Sequence, residues 1–193
     1  MEILTLPVGP LQANCYLLFD EGKNTAVVDP GGDAERILEE IHRRQLKVQA
    51  VLLTHVHFDH MLAADEVQAA TGAPLWIPKG DEAALTDPSR SLLQWLQEKS
   101  KTPLRPDRLV EDRDILTVGK LRLEVIATPG HTPGSCCYRC GDALLTGDTL
   151  FAGGVGRTDF PGGDEGMLRE SLHRLSKLEG EYTVLPGHGP ATT

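Results

Sequence analysis

The chain has 193 residues, 40% of them hydrophobic and 24% charged, which excludes a disordered, fibrous or coiled-coil chain and suffices for one domain with its own core. A net charge of −9 argues against a nucleic-acid partner, which demands a basic surface. No apolar run reaches the ~18–20 residues that span a bilayer, and the N-terminus has no basic segment ahead of an apolar one, so the chain reads as cytoplasmic with no membrane partner.

Strands and helices alternate along the chain. Thr25–Val28 reads as a short strand ending in Asp-Pro-Gly-Gly, and Asp33 is placed to cap a helix carrying Ile37, Leu38 and Ile41 at helical spacing. Val48–Leu53 is nearly all apolar, as in a strand buried on both faces. A helix is expected over 61–71, closed by Gly72, then a strand at Pro74–Ile77. Two short helices should follow, the second with Leu92, Leu93 and Leu96 on one face. Leu121, Leu123 and Val125 alternate with Arg122 and Glu124, a half-buried strand. Cys136–Cys140 and Ala143–Thr146 flank Gly141-Asp142, a hairpin pattern. Leu168, Leu172 and Leu175 mark a late helix, and Tyr182–Leu185 the last strand. The fold class is α/β, with mixed sheets and helices outside.

The four cysteines are Cys15, Cys136, Cys137 and Cys140. Cys137 and Cys140 form a C-x-x-C, but a structural zinc site needs a second pair, and a redox pair sits at a helix N-terminus rather than in a strand. They read as reduced thiols that form no site.

Of seven histidines, five fall in loops directly after a predicted strand: His55, His57, His60, His131 and His188. Asp29 and Asp148 share that position, and the functional crevice of an open α/β sheet lies at the carboxyl ends of its strands. His42 and His173 lie within helices and read as ordinary helix residues. In extended backbone His55 and His57 point the same way and can grip one metal. Asp59 and His60 follow the turn and face a neighbouring point, which suits two adjacent metals. His131 can complete the first set, His188 the second, and Asp148 can bridge both. All-nitrogen-and-oxygen donors suit zinc first, with iron or manganese as further candidates.

The motifs THVHFDH at 54–60, PGHTPGS at 129–135, TGDTLF at 146–151 and PGHGP at 186–190, with VVDPGG at 27–32, resemble those of the metallo-β-lactamase superfamily. The resemblance implies a four-layer αβ/βα sandwich with two mixed sheets, helices outside, and a metal site at one edge. It assigns His55, His57, His131 and Asp148 to a first metal, and Asp59, His60, His188 and Asp148 to a second, with Asp29 supporting the site. Two divalent ions, zinc first, are the implied cofactors.

GGVGRTDFPGGD at 153–164, together with PGHGP, is most similar to the glyoxalase II group, the hydroxyacylglutathione hydrolases, and within it to the short single-domain members. Residues 1–193 therefore read as one hydrolase domain without the helical C-terminal domain of longer relatives. The resemblance implies hydrolysis of a small acyl thioester such as S-lactoylglutathione. Asp59 would orient the bridging hydroxide that two ions activate. Arg157 fits the basic, substrate-binding position of the glycine-rich loop, though it can equally pair with Asp159 or Asp164 and only shape that loop. Asp159-Phe160 replaces the family's aromatic pair. The competing expectations are a mononuclear iron persulfide dioxygenase, which shares a GRTDF loop, and another hydrolase of the superfamily such as a lactonase.

Overall fold

The computed structural model describes residues 1–96 and 104–193. Its first sheet has six strands in chain order: β1 (Glu2–Val8), β2 (Ala13–Phe19), β3 (Asn24–Val28), β4 (Lys47–Leu52), β5 (Leu75–Pro78) and β6 (Arg108–Val110). The pairs β1–β2 and β2–β3 are antiparallel, and the rest are parallel. A helix precedes each of the first two parallel partners: α1 (Ala34–Arg43) before β4 and α3 (Ala64–Thr71) before β5, with the one-turn α2 (Phe58–Met61) ahead of α3. The second sheet uses β7 (Ile115–Val118), β8 (Leu121–Ala127), β9 (Cys136–Cys140), β10 (Ala143–Gly147) and β13 (Thr183–Pro186), in the order β13-β10-β9-β8-β7. β13 runs parallel to β10, and the other pairs are antiparallel. A small ribbon of β11 (Leu150–Phe151) and β12 (Gly154–Val155) precedes α4 (Glu165–Leu175).

Alternation along the strands builds the layers, because successive side chains point to opposite faces. In β2, Cys15, Leu17 and Phe19 pack with Ile37 and Ile41 of α1 and Val67 of α3, while Tyr16 and Leu18 face the second sheet. In β10, Ala143 and Leu145 face the first sheet, while Leu144 packs under Leu175 of α4. Helix, sheet, sheet and helix thus lie in four layers, the sandwich expected. The same alternation separates the C-x-x-C: Cys137 lies on the α4 side and Cys140 between the sheets, so the two thiols cannot meet. Burial pushes the Cys137 thiol up to about 11, which leaves it inert.

Several expectations need correction. Asp33 precedes α1 but does not cap it: its backbone is left-handed (φ 49°) and its Oδ2 accepts the Gly9 N–H at 2.9 Å. β4 is buried on both faces only over Ala50–Leu52, since Lys47 and Gln49 lie on the surface. The helix expected over 61–71 is α3 alone, Ala64–Thr71, with the separate one-turn α2 ending at Met61. The expected helix after Ser89 is a single 3-10 turn, Leu93–Trp95, entered from a left-handed Leu92 (φ 60°). The β1–β2 hairpin, β6 and β7 were not anticipated. Pro7 interrupts the β1 pattern, and the sheet tolerates it because β1 is an edge strand. No helix among the described residues is long and apolar enough to cross a membrane.

Candidate metal centre

Every site-like residue sits at the carboxyl end of a strand, and the two sheets bring these ends together. Asp29 follows β3. Thr54, His55 and His57 follow β4, and Asp59 and His60 lie in α2. His131 follows β8, Asp148 follows β10 and His188 follows β13. Three groups of donors converge: His55, His57 and His131; His55, His60 and Asp148; and Asp59, His60 and His188, with the ligand atoms of each group within 4.8 Å of one another. His131 Nε2 lies 2.9 Å from His57 Nδ1, and His60 Nε2 lies 3.4 Å from His188 Nε2. Asp148 stands between the sets: its Oδ1 is 3.4 Å from His60 Nε2, and its Oδ2 is 3.6 Å from His131 Nε2 and 3.7 Å from His188 Nε2. Asp59 Oδ2 lies 3.2 Å from His188 Nε2 and 3.7 Å from His60 Nε2. The seven residues assigned to metal all meet here, while His42 and His173 lie in α1 and α4.

The donor set fits metal ions. Among the described residues, His55 Nε2 and Asp148 Oδ1 are buried without a hydrogen-bond partner, a costly state for polar atoms unless something binds them, while His57 turns Nδ1 rather than its unpaired Nε2 toward His131 Nε2. On His55, His60 and His131 the outward nitrogen is already engaged. His55 Nδ1 donates to Thr54 Oγ1 at 3.1 Å, and that hydroxyl donates to Asp29 Oδ2 at 2.7 Å. His60 Nδ1 donates to Asp29 Oδ2 at 3.0 Å, and His131 Nδ1 donates to the Arg157 carbonyl at 2.7 Å. Such bonds set the tautomer and leave Nε2 with a free lone pair facing inward. Asp29 reaches these partners from a left-handed backbone (φ 52°), which aspartate tolerates better than most residues.

Electrostatics divide the cluster. Burial, then the neighbouring histidines, hold the pKa of His55 well below its ordinary value and bring that of His57 down to about 3. Both stay neutral, as metal ligands must. Burial also opposes charge on His60, yet Asp148, Asp59 and Asp29 hold its pKa well above the usual value. His188 is raised too, by its hydrogen bond to Asp59 and by Asp148, against burial. In turn, His60 and its fellow histidines pull Asp59 and Asp148 below the carboxylate range although burial opposes this.

A model of the metallo-beta-lactamase superfamily matches residues 8–188, which takes in every one of these donors. The chain belongs to that superfamily. It is similar to "Probable metallo-hydrolase YqgX" of Bacillus subtilis, 40% identical over 100% of this chain and 92% of that protein. It is also similar to the hydroxyacylglutathione hydrolase GloC of Haemophilus influenzae, 36% identical over 100% of this chain and 93% of that protein. Among solved structures, the BLEG-1 B3 metallo-beta-lactamase superposes with a TM-score of 0.93 at 37% identity, over 99% of this chain and 93% of that one. The structure of TTHA1623 in a di-iron-bound form superposes with a TM-score of 0.88 at 35% identity, over 98% and 94%. The chain therefore has the metallo-beta-lactamase fold, and metal-dependent hydrolysis is the activity its superfamily supports.

The superfamily's loop after Asp148 behaves differently from the rest of the site. Arg157 pairs with Asp159 through both ends of its guanidinium (Nε–Oδ1 2.7 Å, Nη2–Oδ2 2.6 Å) and stacks 3.9 Å from the centre of the Phe160 ring. Of the two roles open to Arg157 in the sequence, the loop-shaping pair is the one present. Its backbone carbonyl, a role no sequence pattern marks, is what touches His131. Phe160 lies edge-on to His57 at 5.9 Å and to Trp95 at 5.0 Å. The loop of His188 has its own support: Asn14 Nδ2 donates to the Pro186 and Gly189 carbonyls, both at 2.9 Å, and the Tyr16 hydroxyl donates to Pro186 at 2.7 Å. Neither residue stood out in the sequence, because both act from the unanticipated strand β2.

Proposed function

We propose that this chain hydrolyses small acyl thioesters, with S-lactoylglutathione the first substrate to test, using two divalent ions. His55, His57, His131 and Asp148 would hold the first ion, and Asp59, His60, His188 and Asp148 the second. Zinc is the first metal to load and iron the next, since a relative of similar fold binds two irons. The observation that carries the reading is the convergence of two nitrogen-rich donor groups on one carboxylate, Asp148, with buried donor atoms left unpaired. Such a pair of ions supplies Lewis acidity toward an acyl carbonyl and lowers the pKa of water toward neutrality.

The chain's own groups do the rest. Asp59 accepts a hydrogen bond from the attacking water and turns its lone pair toward the acyl carbon. Asp29 and Thr54 keep His55 and His60 in one tautomer throughout. A thiolate leaves readily, so a separate general acid is not required. Phe160 and Trp95 form an aromatic wall beside His57. The likeness to a hydroxyacylglutathione hydrolase over the full chain supports the thioester. The likeness to a B3 metallo-beta-lactamase makes a β-lactam the second substrate class to examine.

The test is thiol release by fully metal-loaded protein, with S-lactoylglutathione beside simpler thioesters, a lactone, a β-lactam and a persulfide. Turnover of a thioester well above the others is expected. No thiol release from any thioester, with turnover of the β-lactam, lactone or persulfide, overturns the reading.

A further inference from the structure

Asp81 is buried, 2% exposed, in the 3-10 turn Lys79–Leu85 that follows β5, far in sequence from any histidine of the site. Its carboxylate accepts three hydrogen bonds, and all three come from the two loops that carry the first histidine set. Val56, between His55 and His57, donates its N–H to Oδ2 at 3.0 Å. Thr132 and Gly134, just past His131, donate a hydroxyl to Oδ2 at 2.8 Å and an N–H to Oδ1 at 2.7 Å. The Thr132 hydroxyl is free to donate this way because Ser135 Oγ, 2.7 Å away, can serve as its donor. The Asp81 turn is also in direct contact with the His131 loop: a Cβ at Gly134 would lie 2.4 Å from Asp81 N and 2.6 Å from its Cγ. The second set is anchored elsewhere, by Asp29 on His60 and by Asn14 and Tyr16 on the His188 loop.

We propose that Asp81 is a positioning residue specific to the His55, His57 and His131 set, fixing the H-x-H loop against the His131 loop without acting on the other set. The inference rests on the reading that these residues hold metal. An amide at this position keeps the shape but turns an N–H2 toward one of the backbone or hydroxyl donors, so at least one of the two loops loses its hold.

The experiment uses the full chain, stripped of metal and titrated with cobalt(II) or zinc(II) against a chromophoric chelator, with far-UV circular dichroism to follow the fold. Asp81→Asn is read in two backgrounds: His188→Ala, where the first set remains whole, and His57→Ala, where the second does. The expected result is a loss of affinity of about 10–100-fold in the first background, the usual effect of removing a group that orients ligands. In the second background the change should stay within about 3-fold, well inside that effect. General loosening of the fold would weaken both alike, so an equal loss in both, or none in either, overturns the inference alone. If Asp81→Asn does not fold, Thr132→Val, which removes one of the three bonds, is read in the same backgrounds against the same criterion. A wild-type chain that takes up a single ion overturns the two-ion reading and this inference with it.

Discussion

Asp29 and His60 are joined by a hydrogen bond of 3.0 Å from His60 Nδ1 to the aspartate's Oδ2, the same oxygen that accepts the Thr54 hydroxyl behind His55. One buried carboxylate therefore orients a histidine in each donor set. Asp29→Ala should weaken metal binding by about 10–100-fold, the usual cost of losing such a support. The second set should suffer more, because His60 touches Asp29 directly and His55 only through Thr54. Competition titration with a chelator measures this, and unchanged affinity at both sets would show that Asp29 is structural only.

Asp148 and His188 should separate the two sets. Asp148 faces His60 with one oxygen and His131 and His188 with the other. Asp148→Ala is expected to lose both ions or most of their occupancy, whereas His188→Ala should weaken one. Elemental analysis of the purified variants decides it, and full metal content in Asp148→Ala would end the bridging assignment.

Metal uptake should depend on pH in a set-specific way. In the metal-free chain the pKa values of His60 and His188 are raised by the carboxylates around them, so protons compete with metal there at and above the ordinary histidine range. Those of His55 and His57 are depressed, so protons compete with metal there only in strong acid. Lowering the pH from about 8 to 6, across the ordinary histidine pKa, should therefore release the ion of the Asp59, His60 and His188 set first. Equilibrium dialysis at stepped pH would show one ion lost before the other. Simultaneous loss would contradict the division.

The convergence of this candidate site was legible in the sequence because its donor residues cluster in short motifs placed after strands, and strand ends are where an α/β fold builds a crevice. The H-x-H-x-D-H run forces its own geometry: two histidines on one extended face, then a turn. The supports were harder to read. Asn14, Tyr16 and Asp81 act from more than 20 residues away through one to three hydrogen bonds each, and no local periodicity marks such a role. Asp33 shows the opposite failure. It sits where a cap should be, but the Gly9 N–H across the fold outcompetes the helix amides for its carboxylate. The 3-10 turn at Leu93–Trp95 departs from its helical spacing where Leu92, buried, has a left-handed backbone that a helix cannot include.

Gly187 has a steric role at the site. A Cβ there would lie 2.2 Å from Asp148 Oδ1 and 2.8 Å from His60 Cε1, closer than any real contact. Gly187→Ala must push the bridging carboxylate away from His60. The severest clashes are with side-chain atoms, the nearest backbone atom being the Gly147 carbonyl carbon at 3.0 Å, so the chain should fold, but metal content and activity should fall at least 10-fold, as befits a displaced ligand. Circular dichroism and metal analysis on the same sample test this. Full metal content in Gly187→Ala would show that Asp148 has another place to go.

Arg157 and Asp159 set the last expectation, which concerns the substrate. Both side chains are exposed, and an exposed pair is weak because water and salt screen it, so an anionic group on a substrate can displace Asp159 at little cost. The stacking of Arg157 on Phe160 would keep the guanidinium beside the site during that exchange. Arg157→Ala should therefore raise KM for an anionic thioester more than it lowers kcat, because the contact is made alike in ground and transition states. The bond from His131 to residue 157 survives the substitution, since it uses the backbone carbonyl. Asp159→Asn should act in the opposite direction: it frees the guanidinium and lowers KM for the anionic thioester by about 2–5-fold, the value of the exposed pair it removes. A neutral thioester should respond to neither variant. Steady-state kinetics with the two substrates separates these cases, and equal effects on both would leave Arg157 with the loop-shaping role alone.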